Sequence, residues 1–394
     1  MVLIGLGCLM ALLVGLRAGM WGARWLGARP TVGPEHAFTG QTLLLLYVGS
    51  LVVTGTVQEL AWRFPALTQG ILALTYARFA LLFLLFRRLS SPRIRWRWIA
   101  TILAVEIVIG FTGYFAGFRE PIMMAAIAAT STFDRRKAKH WLVLGALAAI
   151  AVVTGVLWMG VRTEYRRDFE NQVFAESRQE RLDRFAELTA DWLDRPSGEL
   201  LQDVRLFLER LWAVHYPALA YARVPAMTPH EDGAILWRSL AHLVTPRVLF
   251  PDKPLIESDS EMVFRYSGVL VAGAGPRVER EQGLTSIAFG YAAESYVDFG
   301  VPLMFLPVFV FGCLMGAIYR WLLTLVRHRE LATGLVVVVF WLSLYLFERS
   351  WLKMLGGSVT LVVYLGGATL LLDRFLLWRK GVGRAWVLEH ARGR

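Results

Sequence analysis

The chain has 394 residues, of which 56% are hydrophobic and only 19% are charged, and its mean hydropathy is +0.48. A soluble domain of this size carries about 25% charged residues, and here the apolar residues form long blocks. These values exclude an ordinary soluble protein and predict a polytopic membrane protein. The two cysteines, Cys8 and Cys313, lie in apolar blocks and form neither a disulfide framework nor a metal motif.

The net charge of +11 is divided unevenly along the chain. Residues 161–300 contain 16 basic and 22 acidic residues, whereas the remainder contains 26 basic and 9 acidic residues. Outside the 161–300 segment the basic residues lie in short links between apolar blocks, which is typical of membrane topology signals. We therefore expect no nucleic acid among the partners.

Nine apolar segments predict an all-α polytopic fold with about nine transmembrane helices. One large, mainly helical external loop separates the sixth helix from the seventh. The sequence thus divides into an N-terminal transmembrane bundle at 1–160, the external loop at 161–300, and a C-terminal transmembrane part with a basic tail at 301–394. In chain order the nine segments are residues 2–16, 41–57, 66–86, 99–115, 121–133, 141–159, 301–322, 334–347 and 355–377.

The basic residues predict the orientation of these helices. Basic clusters follow helices one, three, five, seven and nine, whereas the links after helices two, four and eight are short and nearly neutral. Because basic links favour the cytoplasmic side of a membrane, the 161–300 loop is predicted to lie outside. The scheme also places Met1 outside, so we expect a further helix upstream of this start.

Helical periodicity continues within the external loop. Apolar residues recur at helical spacing over about residues 165–192, 201–212 and 236–244. These amphipathic faces either lie on the outer leaflet or pack on the helix bundle. Within helix seven, Gly312 and Gly316 have the GxxxG spacing that favours close helix packing.

Two ionisable residues fall near the middle of predicted membrane helices. Arg78 lies in helix three and Glu106 in helix four, where an ionised group costs at least about 2.5–3.5 kcal/mol unless it has a partner. The two helices are neighbours that run in opposite directions, so Arg78 and Glu106 are predicted to form a buried polar pair. A place in a polar cavity is the alternative.

Several basic residues are candidates for binding an anion at the outer surface. Arg119 lies in the tight link 117–121, where a guanidinium is well placed to meet a lipid-borne phosphate, although interfacial snorkelling is the alternative. Prolines bracket two further cations and stiffen the backbone around them. The residues predicted to bind an anion are Arg119, Arg247, Lys253, Arg277 and Arg280.

The candidate bases are Glu294 and Asp298, which are spaced i, i+4 and so share one helix face just before helix seven. Glu348 and Arg349, at the outer end of helix eight, are expected to face the same site as Arg119. The chain has no HExxH, GxxxxGK[ST] or CxxC motif, and its histidines show no ligand spacing. We therefore expect no metal, no ATP and no other cofactor.

Three sequence runs resemble the Wzy-type oligosaccharide repeat-unit polymerases, the O-antigen polymerase family. They are the Gly-x-Arg run 117–119 opening a helix, the Pro-Arg-x-x-x-Pro-x-Lys-Pro run 246–254, and the run 285–300 entering a helix. The many apolar helices and the large late loop match the architecture of that family over most of the chain.

The resemblance implies a glycosyltransferase of the bacterial cytoplasmic (inner) membrane whose large loop is periplasmic. Such an enzyme polymerises undecaprenyl-diphosphate-linked repeat units into O-antigen or exopolysaccharide without a metal. The implied partners are these lipid-linked glycans, membrane lipids and a chain-length regulator. In that reaction Arg119, Arg247 and Lys253, with Arg280 next, stabilise the leaving diphosphate, and Glu294 or else Asp298 takes the acceptor proton.

Two other functions stay open. An O-antigen ligase shares this architecture but transfers the finished glycan to lipid A core. A membrane transporter of polysaccharide precursors would make use of Arg78 and Glu106 at mid-membrane, although the sequence shows no inverted repeat.

Overall fold

The computed structural model is helical throughout its regular structure. No strand occurs in the part of the chain that it describes, which confirms the all-α prediction. The described residues are 2–26, 38–63, 68–90, 94–112, 117–169, 178–211, 215–245, 250, 252–253, 259–268, 288–343 and 348–379.

Seventeen α-helices lie in the described residues, with a short 3-10 turn at Ala23–Leu26 and a π-helical turn at Leu361–Leu365. The first nine are α1 (Val2–Gly22), α2 (Gly40–Arg63), α3 (Thr68–Thr75), α4 (Ala77–Ser90), α5 (Trp96–Phe111), α6 (Arg119–Ser131), α7 (Ala138–Phe169), α8 (Arg178–Leu193) and α9 (Ser197–Leu211). The others are α10 (His215–Arg223), α11 (Ala234–Val244), α12 (Asp259–Ser267), α13 (Tyr291–Phe299), α14 (Phe305–Leu325), α15 (Arg329–Ser343), α16 (Trp351–Thr360) and α17 (Gly366–Arg379).

Six segments of the described chain are long and apolar enough to cross a membrane. Each of the other three predicted membrane helices is present but shorter: α5, α6 and α15 have 16, 13 and 15 residues. The structure is therefore consistent with a multi-pass membrane protein, and the count of nine crossings stays a prediction. The six segments are Val2–Gly22, Gly40–Val57, Thr68–Ser90, Ala138–Asp168, Phe305–Leu325 and Trp351–Trp378.

The chain forms two compact units that do not follow the three predicted sequence segments. The first unit combines residues 1–39, 52–80 and 214–394, and the second combines residues 40–51 and 81–213. The N-terminal helix and nearly the whole second half of the chain therefore belong to one unit. The division at 160 and 300 stays a prediction about consecutive segments.

In the second unit, the amphipathic helices α8 and α9 pack on the membrane-length helix α7. Phe185 of α8 stacks on Phe111 of α5 with ring centroids 4.3 Å apart. Gly155 of α7 has no side chain, and this leaves the space that the ring of Phe207 from α9 occupies. These two helices thus pack apolar side chains on the helix bundle. This is one of the two arrangements predicted for their amphipathic faces, the other being contact with the outer leaflet.

In the first unit, α1 and α14 pack closely through glycines. The two helices run in the same direction, since Gly7 faces Phe305 at one end and Gly19 faces the Cys313 carbonyl farther along. A β-carbon on Gly312 would lie 2.6 Å from the carbonyl oxygen of Leu12. The predicted close packing at this GxxxG pair is therefore confirmed.

Helices α14, α15 and α16–α17 run alternately up and down. Asp373, near the end of α17, accepts hydrogen bonds from the backbone N–H groups of Arg327 and His328 at 3.1 and 2.9 Å. These two residues join α14 to α15. At the opposite end, Glu294 just before α14 accepts from the N–H of Trp351, where α16 begins. Helix α15 consequently connects the two ends of this bundle.

Candidate functional site

Helix α13 is the short element that leads from the loop into α14, and residues 291–298 in it are all buried. It contains both predicted carboxylates: Glu294 is 2% exposed and Asp298 is 0% exposed. Gly290 and Gly300 border the helix with φ angles of 81° and 64°, in a region that glycine adopts far more readily than other residues. The backbone turns at these glycines set the direction of α13, and thereby the position of its acids.

Asp298 caps a different helix. Its Oδ1 accepts from the N–H of Ile235 at 3.0 Å and its Oδ2 from the N–H of Leu236 at 2.9 Å. These N–H groups belong to the first turn of α11, whose own N-cap, Gly233, has no side chain. Burial raises the pKa of Asp298, and the two N–H groups offset part of that rise. The role of Asp298 as a base stays a prediction, and both of its carboxylate oxygens accept hydrogen bonds from the first turn of α11.

Lys253 holds the other end of α11. Its Nζ donates a hydrogen bond to the backbone carbonyl of His242, in the last turn of that helix. A cation at this position satisfies a terminal carbonyl and complements the helix dipole, as the Asp298 carboxylate does at the N-terminus. The predicted contact between Lys253 and a substrate diphosphate is not tested by this geometry.

Glu294 lies at the N-terminus of α16. Its Oε2 accepts from the N–H of Trp351 at 2.6 Å, and Trp351 is the first residue of a membrane-length segment. The indole N–H of Trp351 donates to Ser295 at 3.0 Å, which fixes the neighbouring side chain of α13. Glu294 therefore sits at the positive end of a helix dipole, where a negative charge is favoured.

An ion pair completes this cluster, although neither of its members stands out in the sequence. Nζ of Lys353 lies 2.5 Å from Oδ2 of Asp259. The carboxylate is buried, whereas the side chain of Lys353 is 51% exposed. Both charges are close enough to Glu294 to affect its ionisation. No motif or regular spacing links positions 259, 294 and 353, so only the fold brings them together.

Burial outweighs the favourable helix end, so the protonated form of Glu294 is favoured overall. The pKa of Glu294 is raised to about 8, mainly by burial. The negative charges of Asp259 and Asp298 also raise this pKa, whereas the N–H of Trp351 and the charge of Lys353 lower it. A carboxyl group with a pKa near the working pH is suited to both accepting and releasing a proton. The pKa of Glu294 is therefore compatible with the predicted role of a base, which stays a prediction.

The predicted anion-binding residues are distributed over the chain. Arg119 is the first residue of α6, in the second unit. The positions of Arg247, Arg277 and Arg280 lie outside the described residues. Anion binding by these three residues and by Arg119 therefore stays a prediction. Near Glu294, the structure instead places Lys353 and the backbone of Arg349, whose carbonyl accepts from the N–H of Tyr291 at 2.7 Å.

The predicted polar pair within the membrane is not tested. Glu106 is fully buried and accepts a hydrogen bond from the hydroxyl of Tyr47 at 2.6 Å. Arg78 belongs to the other compact unit, where its guanidinium lies 5.4 Å from the ring centroid of Phe79. The sequence did not reveal Tyr47, because a tyrosine within an apolar helix gives no distinct polar signal.

Within the described residues, no group of three or more His, Cys, Asp or Glu side chains is placed to hold a metal ion. Expectations about metals and cofactors stay predictions. A scan against protein-family models gives no match, and neither a search of curated proteins nor one of solved structures finds a similar chain.

Proposed function

We propose that this protein is an integral-membrane glycosyltransferase that polymerises undecaprenyl-diphosphate-linked repeat units at the periplasmic face of the bacterial cytoplasmic membrane. The observation that carries the proposal is the buried carboxyl of Glu294, placed at the N-terminus of α16 beside the pair of Asp259 and Lys353. The sequence runs 117–119, 246–254 and 285–300 support the same proposal through their resemblance to the polymerase family.

We assign the side of the membrane from the charges at the two ends of the bundle. The end that holds Asp373 also holds the basic residues of the link after α14, among them Arg327 and Arg329. Basic links favour the cytoplasmic side, so Glu294 and Trp351 are assigned to the external side. This assignment requires α15 to cross the membrane, and its 15 residues extend over about 22 Å.

The chemistry needs a base and a set of cations. A hydroxyl of the acceptor glycan attacks the anomeric carbon of the donor, the bond from that carbon to the diphosphate oxygen breaks, and the hydroxyl proton passes to Glu294. The lipid diphosphate leaves with its negative charge, which cationic side chains stabilise. Lys353 is suitably placed near Glu294, and Arg119 and Arg247 are the cations that the sequence resemblance adds.

Replacing Arg119 or Arg247 by alanine is expected to abolish long-chain polymer, because each substitution removes a charge that stabilises the leaving diphosphate. The measurement is the length distribution of surface glycan on a gel, with membrane insertion checked by immunoblot. Arg135→Ala is the matched control: it removes an exposed arginine from a predicted cytoplasmic link and should leave the polymer unchanged. Normal chain length in both test variants would overturn the assignment of these two arginines.

A further inference from the structure

Helix α11 has two distinct faces. Ile235 and Ser239 are buried, at 3% and 5% exposure, and the helix packs on α13 and on α16 through this side. The opposite side exposes a stripe made by Trp237, Leu240 and Val244, of which Trp237 is 71% and Val244 73% exposed. These three positions are spaced i, i+3, i+7, so they form one continuous apolar strip along the helix.

The stripe lies where a membrane surface is expected. Helix α11 contacts α16, and α16 is the beginning of the membrane-length segment Trp351–Trp378. An element packed on the first turns of such a segment lies at the level where the segment leaves the hydrocarbon. Tryptophan and aliphatic residues on one face of a short helix are typical of helices that lie in the interface plane.

The ends of α11 are fixed, so the direction of its stripe is fixed. Asp298 accepts two hydrogen bonds from the first turn, and Lys253 donates one to the last turn. Arg238 lies next to the stripe, and its Nη2 is 3.5 Å from Oε2 of Glu231. A helix held in this way presents one face permanently, rather than rotating to bury it.

We infer that α11 is an in-plane helix whose stripe of Trp237, Leu240 and Val244 inserts into the hydrocarbon of the adjacent lipid leaflet. The occupant is lipid because α11 packs on the first helix of a membrane-length segment and its outward stripe carries an exposed tryptophan. The inference requires α16 to begin a membrane crossing. It does not depend on glycosyl transfer, so it holds or fails separately from the proposed enzyme activity.

Collision accessibility of nitroxide labels tests this inference on the full chain. The native thiols are first removed as Cys8→Ala and Cys313→Ala, and single cysteines then replace Trp237, Val244 or, as the control, Arg238. The labelled proteins are reconstituted in vesicles of phosphatidylethanolamine and phosphatidylglycerol, and accessibility to oxygen is compared with accessibility to a water-soluble nickel chelate.

Lipid contact predicts an oxygen-to-nickel ratio at positions 237 and 244 that is several-fold higher than at position 238. Nickel accessibility at 237 and 244 equal to that at 238 would mean that the stripe faces water. Low accessibility to both reagents would mean that protein covers it, such as a second copy of the chain. Either result overturns the inference, and two independent labelled positions guard against one variant failing to fold.

Discussion

Glu294→Gln is expected to reduce glycosyl transfer by roughly 100- to 10,000-fold, the usual contribution of a positioned general base. Glutamine keeps the size of the side chain and an oxygen that accepts from the N–H of Trp351, so α13 and α16 should stay packed. What it removes is the capacity to take a proton. The measurement is the rate of chain extension from a lipid-linked repeat unit by purified protein in vesicles.

The pH dependence of the same reaction gives a second signature. Because burial raises the pKa of Glu294 to about 8, only about a tenth of this carboxyl is ionised at pH 7. Transfer by the wild-type protein should therefore increase as the pH rises from 7 through 8, and it should level off only above about pH 9. Residual transfer by Glu294→Gln should lack this increase, because the variant has no carboxyl to ionise.

Asp298→Asn serves as the comparison for Glu294→Gln. Asparagine retains one oxygen for the N-terminus of α11 and loses the other, so some stability is lost with the cap. Transfer per folded molecule should nevertheless stay close to that of the wild type. A loss in Asp298→Asn as large as in Glu294→Gln, with folding intact, would exchange the roles assigned to the two acids.

Gly19→Ala is expected to give the largest loss of stability among glycine-to-alanine changes in the part of the chain that the structure describes. A β-carbon on Gly19 overlaps the carbonyl oxygen and the backbone of Cys313 in α14. Backbone cannot rotate out of the way as a side chain can, so α1 and α14 must separate. Overpacking of this kind costs about 1–3 kcal/mol, which should lower the thermal unfolding midpoint of the detergent-solubilised protein by several degrees.

Gly22→Ala is the matched control, since it lies in the same helix and a β-carbon there meets nothing within 4 Å. It should unfold at the wild-type temperature or slightly above, because alanine favours helix over glycine. Equal losses in the two variants would show that the helix backbone, rather than its contact with α14, is responsible.

The apolar blocks were sufficient to predict where the membrane-length helices lie. Predicted helix two, over 41–57, matches the segment Gly40–Val57, and predicted helix seven overlaps α14 over most of its length. The sequence was less informative about which helices pack on one another. The pair Gly312 and Gly316 indicated one side of a close contact, but α1 lies almost 300 residues away, and local periodicity does not contain such long-range pairings.

The candidate site was predictable only in part. The i, i+4 spacing placed Glu294 and Asp298 on one short helix, and α13 does contain both. Their environments differ because Glu294 meets the start of α16 and Asp298 meets the start of α11. The ion pair of Asp259 and Lys353 could not be predicted, because the two residues are distant in sequence and lie in segments without a motif.

The most direct measurement of the central claim is the glycan profile after the gene is deleted. Surface and lipid-linked glycans are separated on a gel for the deletion strain, and for the same strain carrying the wild-type gene or Glu294→Gln. Polymerisation predicts surface acceptors with a single repeat unit in the deletion strain, long chains restored by the wild type, and no restoration by Glu294→Gln. Long chains that accumulate on the lipid carrier would indicate a ligase, and an unchanged glycan profile would contradict the proposed function altogether.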